Sequence, residues 1–174
     1  KELEEVARKI DEELKKLDKN IRDIADEIRR ILEELEKDLR EIEKRIRDIL
    51  RRLEDLKRRG TDERTVKRAE REIREIAKDS RRKLEEVRER IERIMRRSKK
   101  TLDDVKRRIE EEAKNVPRTD ELKTVEDKVR KALREYEEKT RKVKKDVDEV
   151  IKKYKTDSDR VLDEVEKALR EVER

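Results

Sequence analysis

TVKRAEREIREIAKDSRR at 65–82, KLEEVRERIERIMRRSKK at 83–100 and TLDDVKRRIEEEAKNVPR at 101–118 align end to end without a gap. Val66, Leu84 and Leu102 share one column, Ala69, Val87 and Val105 the next, Ile73, Ile91 and Ile109 a third, and Ser80 and Ser98 a fourth. A period of 18 residues is five turns at about 3.6 residues per turn, so each repeat returns to the same angle on a straight helix. The stretch therefore reads as one long helix with a single apolar stripe.

The flanking segments carry the same period. Leu3, Ile21 and Leu39 form one column before it, with Val6, Ile24 and Ile42 and then Ile10, Ile28 and Ile46 beside it. After it come Leu122, Thr140 and Ser158; Val125, Val143 and Val161; Val129, Val147 and Val165; Leu133, Ile151 and Leu169; and Tyr136, Tyr154 and Val172. In the first segment two consecutive spacings of four, at Ile24, Ile28 and Leu32, read as a stutter that relaxes left-handed supercoiling. Lys155-Thr156-Asp157-Ser158-Asp159 resembles a cap, but Tyr154, Ser158, Val161 and Val165 stay in phase across it, so that helix is read as continuous. The expected helices run over about 2–58, 62–115 and 120–173. A helix of about 55 residues is about 80 Å long.

Two breaks separate them. Gly60, the single glycine, falls where a left-handed residue ends a helix, and Thr61 is placed to cap the next one ahead of Asp62 and Glu63. Pro117 stops the second helix, Asn115 tolerates a left-handed conformation, and Thr119-Asp120-Glu121 repeats the start. Short connections make the neighbours antiparallel. Residues at equal height should then have numbers adding to about 122 across the first turn and about 238 across the second. The polar seam follows this rule in two layers, Ile42/Ser80/Ser158 and Ile24/Ser98/Thr140, and Leu84 and Leu102 stand opposite Tyr154 and Tyr136. The fold class expected is all-α, an antiparallel up-down-up three-helix bundle of nearly straight helices, with 1–174 as one domain.

Composition warns of disorder, with 30% of residues hydrophobic and 62% charged, but a disordered chain has no reason to keep helical spacing throughout. The chain has no His and no Cys, which removes imidazole bases, thiolate nucleophiles, disulfides and the usual zinc and iron-sulfur ligands. The longest apolar runs are two residues, so neither a membrane-spanning helix nor a signal-peptide core is expected. The start at Lys1 without Met suggests a trimmed or partial chain.

Four features remain as candidates for function. Ser80 with Ser158 and Ser98 with Thr140 either hydrogen-bond between helices and set the register, or bond to carbonyls of their own helix and fill narrow layers. Tyr136 and Tyr154, the two aromatic residues, are expected to pack at the core edge with hydroxyls in water. The positive excess lies in the middle segment: residues 1–57 carry 17 basic and 19 acidic groups, residues 58–117 carry 22 and 15, and residues 118–174 carry 18 and 17. Arg81-Arg82-Lys83, Arg96-Arg97, Lys99-Lys100 and Lys106-Arg107-Arg108 would attract phosphates or anionic lipid, but Glu86/Arg90, Glu89/Arg93 and Glu92/Arg96 have the order of a solvated helix face. The carboxylates Glu12-Glu13 and Glu110-Glu111-Glu112 lack the pocket that acid-base or metal chemistry requires, since a narrow three-helix core leaves none. No catalytic, cofactor-binding or metal site is expected, and no nucleic acid, membrane or small-molecule partner. The chain is expected to be a monomer.

Straight 18-residue columns in all three segments, the reused Thr-Asp-Glu start at Thr61 and Thr119, and Leu/Ile/Val cores under Glu/Lys/Arg surfaces resemble de novo designed, parametrically generated three-helix bundles. That resemblance implies a very stable scaffold without a natural activity. A second resemblance, to spectrin-like repeats or membrane-binding BAR domains, implies a helical binding module. Against it stand the lack of Trp and Phe and of a kink-forming Gly or Pro within a helix.

Overall fold

Glu, Lys, Arg and Leu, which lose little rotamer freedom in a helix, fill long stretches free of Gly and Pro, and these stretches are helical from end to end. A computed structural model of the protein describes residues 2–60 and 62–173. It contains α1 (Leu3–Arg59), α2 (Glu63–Ala113) and α3 (Asp120–Glu173), long helices packed against one another. The segment at Lys155–Asp159 is helical, as the unbroken phase requires, and Thr156 donates its hydroxyl to the Lys152 carbonyl at 3.0 Å.

The helix ends follow local chemistry. Gly60 has φ of 104°, and its N–H donates to the Leu56 carbonyl at 3.0 Å, closing α1 with a left-handed residue above Lys57, Arg58 and Arg59. The cap expected at Thr61 lies outside the described residues. Asp62 caps α2: one of its carboxylate oxygens accepts the Arg64 N–H at 3.1 Å and the other the Thr65 hydroxyl at 3.0 Å. At α3, Thr119 takes its expected role and accepts the Leu122 N–H at 3.3 Å.

The end of α2 differs from expectation in one respect, stopping at Ala113, two residues early. Asn115 does not use the left-handed conformation open to it, since among the described residues only Gly60 has a positive φ. Pro117 disfavours the helical region for Val116, and the turn before it tightens instead, with the Asn115 N–H reaching the Glu112 carbonyl at 3.1 Å.

The described residues form two compact units, each built from a segment of every helix. The first comprises residues 2–29 and 90–147, the second residues 30–60, 62–89 and 148–173. Within the second, Arg45 pairs with Asp79 at 3.5 Å, Arg52 with Glu72 at 2.8 Å and Lys83 with Asp38 at 3.2 Å. Within the first, Arg97 pairs with Glu27 at 3.0 Å and Arg108 with Glu13 at 3.3 Å. In all five pairs the residue numbers add to 121–124, close to the expected 122, so α1 and α2 run antiparallel in both units. Lys57–Glu171 at 3.2 Å and Lys128–Asp11 at 3.1 Å tie α3 parallel to α1.

The core columns sit where the period puts them. Ile10, Ile28 and Ile46 on α1, Ala69, Val87 and Val105 on α2, and Val129, Val147 and Val165 on α3 are all buried. The stutter, however, falls elsewhere: Ile31 is buried and Leu32 half-buried, so the two spacings of four occur at Ile31, Leu35 and Leu39. With Ile31 rather than Leu32 in the seam, the phase slip lies about two turns later than expected. Truncating a fully buried member such as Ile76 is expected to cost about 2–5 kcal/mol.

Candidate functional site

A buried hydroxyl in an aliphatic column must find a partner or lie against a space, and the two serines of α2 show both outcomes. Ser98, in the first unit, is 3% exposed, and its hydroxyl lies 2.7 Å from that of Tyr136. The Tyr136 hydroxyl donates to Asn20 Oδ1 at 2.6 Å, which leaves it to accept from Ser98, and the Ser98 carbonyl is also within 3.2 Å. One side chain from each helix thus meets in a closed polar layer. The tyrosine hydroxyl expected in water is inside the core, with Tyr136 only 4% exposed.

Height explains the change of partner. Tyr136 and Ser98 differ by four residues from the level pairing, about 6 Å along the axis, and the long phenol covers that offset. Thr140, the expected partner of Ser98, instead donates to the carbonyls of Tyr136 at 3.1 Å and Glu137 at 2.9 Å on its own helix. Sequence reasoning missed Asn20. Its signal was its rarity: it is one of two asparagines, and the other lies in a turn.

One repeat away, in the second unit, stand Ser80, Tyr154 and Asp38, the counterparts of Ser98, Tyr136 and Asn20. Ser80 is also 3% exposed, but no hydrogen bond joins it to Ser158 or to Tyr154 among the described residues. Tyr154 is only half-buried, and Asp38 pairs with Lys83. The layer is left with a cavity of about 230 Å³, which Ser80, Ser158 and Tyr154 line together with Ile42, Ile76 and Val161. One isoleucine opposite two serines does not fill the layer, and none of the carboxylates of the Glu12-Glu13 and Glu110-Glu111-Glu112 runs lines this space.

Both phenols ionise above the usual value. Burial raises Tyr136, while the hydrogen bond from Ser98 opposes the rise. Burial also raises Tyr154, with the nearby Glu36 carboxylate adding to the effect and Arg40 opposing it. The cavity edge is therefore charged, whereas the floor is apolar.

The basic runs of α2 are largely matched by acids. Lys83 faces Asp38, Arg97 faces Glu27, Lys106 faces Glu137 at 3.3 Å and Arg108 faces Glu13. The pairs along that helix include Lys67–Glu63 at 3.3 Å, Arg82 with Asp79 at 3.6 Å and with Glu86 at 3.8 Å, Arg88–Glu85 at 3.8 Å and Arg107–Asp104 at 3.4 Å, none of them among the three expected from spacing. Of the carboxylate runs, Glu13 turns inward, its side chain 14% exposed, to meet Lys16 at 2.8 Å and Arg108, and Glu112 meets Lys9 at 4.0 Å. Among the described residues no group of three or more acidic side chains is arranged to hold a metal ion, and no helix is long and apolar enough to cross a membrane.

With this geometry in view, the class is that of all-α proteins built from three long packed helices. Comparisons with family models, with curated proteins and with solved structures found no match.

Proposed function

We propose that the protein is a structural scaffold, a stable helical bundle of the de novo designed style, whose task is to hold its shape. The observation that carries this reading is the agreement between an 18-residue sequence period and the core: the central column of each helix is buried at every repeat. The cross-helix ion pairs outside keep one register throughout both units. Such agreement of local propensity, patterning and charge placement is what a sequence optimised for one structure would have. On this reading the protein is monomeric and unfolds above about 90 °C.

The competing reading is an electrostatic binding module that uses the positive excess of α2. Retention on heparin and on anionic vesicles at low salt, measured beside a thermal melt followed by circular dichroism, separates the two. The scaffold reading expects a high melting temperature and no retention. Retention that moderate salt abolishes would replace it with the binding module.

A further inference from the structure

We infer that the cavity of the second unit is a binding site for a small neutral phenol. The first unit supplies the template: there the repeat-equivalent layer is filled by a phenol, that of Tyr136, whose oxygen lies 2.7 Å from the serine hydroxyl. In the second unit the serine is kept and equally buried, yet the phenol one repeat on stands half-buried at the edge. Ser80 therefore presents a hydroxyl, without a hydrogen bond among the described residues, to a space of about 230 Å³. An apolar cavity of about 150 Å³ suffices for a benzene-sized ring.

The lining selects the chemical class. Ile42, Ile76 and Val161 offer aliphatic contact, and Ser80 and Ser158 offer two hydroxyls for a ligand oxygen. Charge is excluded twice. An ionised group would lose its hydration in the apolar floor, and the charges at the edge are already matched, Glu36 with Arg40, Glu43 with Arg47 and Asp157 with Arg160, so none of these arginines is left over for an anion. A ring with one neutral hydroxyl satisfies both conditions and restores the contacts that the space forfeits.

The test uses the full chain and p-cresol, the side chain of tyrosine as a free molecule. Methyl-resolved NMR should show saturable shifts at Ile42, Ile76 and Val161, with a dissociation constant on the order of 0.1–1 mM. Toluene, which lacks the hydroxyl, and the anion p-hydroxybenzoate should bind at least several-fold more weakly. Ser80→Ala should weaken p-cresol on the order of 3- to 10-fold, and Ser80→Leu, which fills the space, should abolish binding. No saturable shift at those methyls up to the solubility of p-cresol overturns the inference. So does equal binding of the three probes, or binding that survives in a folded Ser80→Leu chain. If p-cresol binds only after Tyr154→Ala, the cavity belongs to the ring of Tyr154 and the inference also falls. None of these outcomes alters the heparin and vesicle test of the scaffold reading.

Discussion

Tyr136 and Tyr154 occupy one column of one helix, 18 residues apart and each facing a buried serine, yet only Tyr136 enters the core. The neighbours on α1 and α2 account for this. In the first unit α1 offers Asn20, a neutral amide whose oxygen accepts the phenol proton, and the α2 residue level with it is Thr101, which donates to its own helix at Arg97. In the second unit the same positions hold Asp38 and Lys83, which pair with each other at 3.2 Å. A carboxylate turned into an aliphatic layer would have to shed its hydration, so it stays outside with its lysine, and the phenol loses its acceptor. Thr140 and Ser158 add to the contrast, since the serine is smaller by one methyl group. Two layers that keep the same tyrosine and serine columns thus differ in packing because their neighbours differ, Asn20 and Thr101 beside one and Asp38 and Lys83 beside the other.

The largest effect should come from removing the rings. Tyr136→Ala is expected to destabilise by about 3–5 kcal/mol, as for other buried aromatics, whereas the half-buried Tyr154 should cost about 1–2 kcal/mol. Urea titrations of the two variants read this difference directly. Equal losses would mean that both rings are equally buried in solution.

Exchanging the α1 partners comes next. Asn20→Asp should force Tyr136 to give up its acceptor or bury a charge, lowering stability by about 1–3 kcal/mol. Asp38→Asn should draw Tyr154 over the cavity and stabilise by about 1 kcal/mol, since the exposed pair with Lys83 is worth little. New nuclear Overhauser contacts between the Tyr154 ring and the Ile42 and Val161 methyls would report the closure. Their absence would show that something besides the acid holds the ring out.

The serines should separate the layers more finely. Ser98→Ala removes a donor from a closed network and is expected to cost about 0.5–1.5 kcal/mol, while Ser80→Ala should stay within about 0.5 kcal/mol. Chemical denaturation of both resolves the gap.

The smallest effect is in pH. Both phenols have folded values raised above the unfolded value of about 10, so the stability they contribute is complete below about pH 10 and is lost as pH climbs through the folded value. The stability difference between wild type and Tyr136→Phe should therefore be flat at neutral pH and shrink in strong alkali. A difference that grew there would reverse the sign of the Tyr136 shift.

Much of the architecture was legible because it rests on periodicity. The columns, the antiparallel register and the continuity of α3 through Lys155–Asp159 follow from 18 residues making five turns, and each is a property of many side chains at once. The pairings within a layer were not legible. Level arithmetic placed Ser98 beside Thr140, but side-chain length carried Tyr136 a full turn along the axis, and Asn20 entered a layer that the apolar pattern never marked. Occupancy was hidden for a related reason: counting Ile42 against two serines gives the sizes of the parts but not the void of about 230 Å³ between them. The α2 terminus was misplaced because Asn115 permits a left-handed turn without requiring one.

Gly60 leads somewhere else. A methyl group built on its α-carbon would meet nothing within 4 Å, so the reversal between α1 and α2 is not a matter of room. Its demand is chiral: an L-alanine would carry about 1–2 kcal/mol of strain in the left-handed conformation, whereas its mirror image, D-alanine, would sit at ease and restrict the unfolded chain. A semisynthetic bundle carrying that one inverted centre should outlast the all-L protein. At this bend glycine serves as the nearest genetically encoded substitute for a residue of the opposite hand.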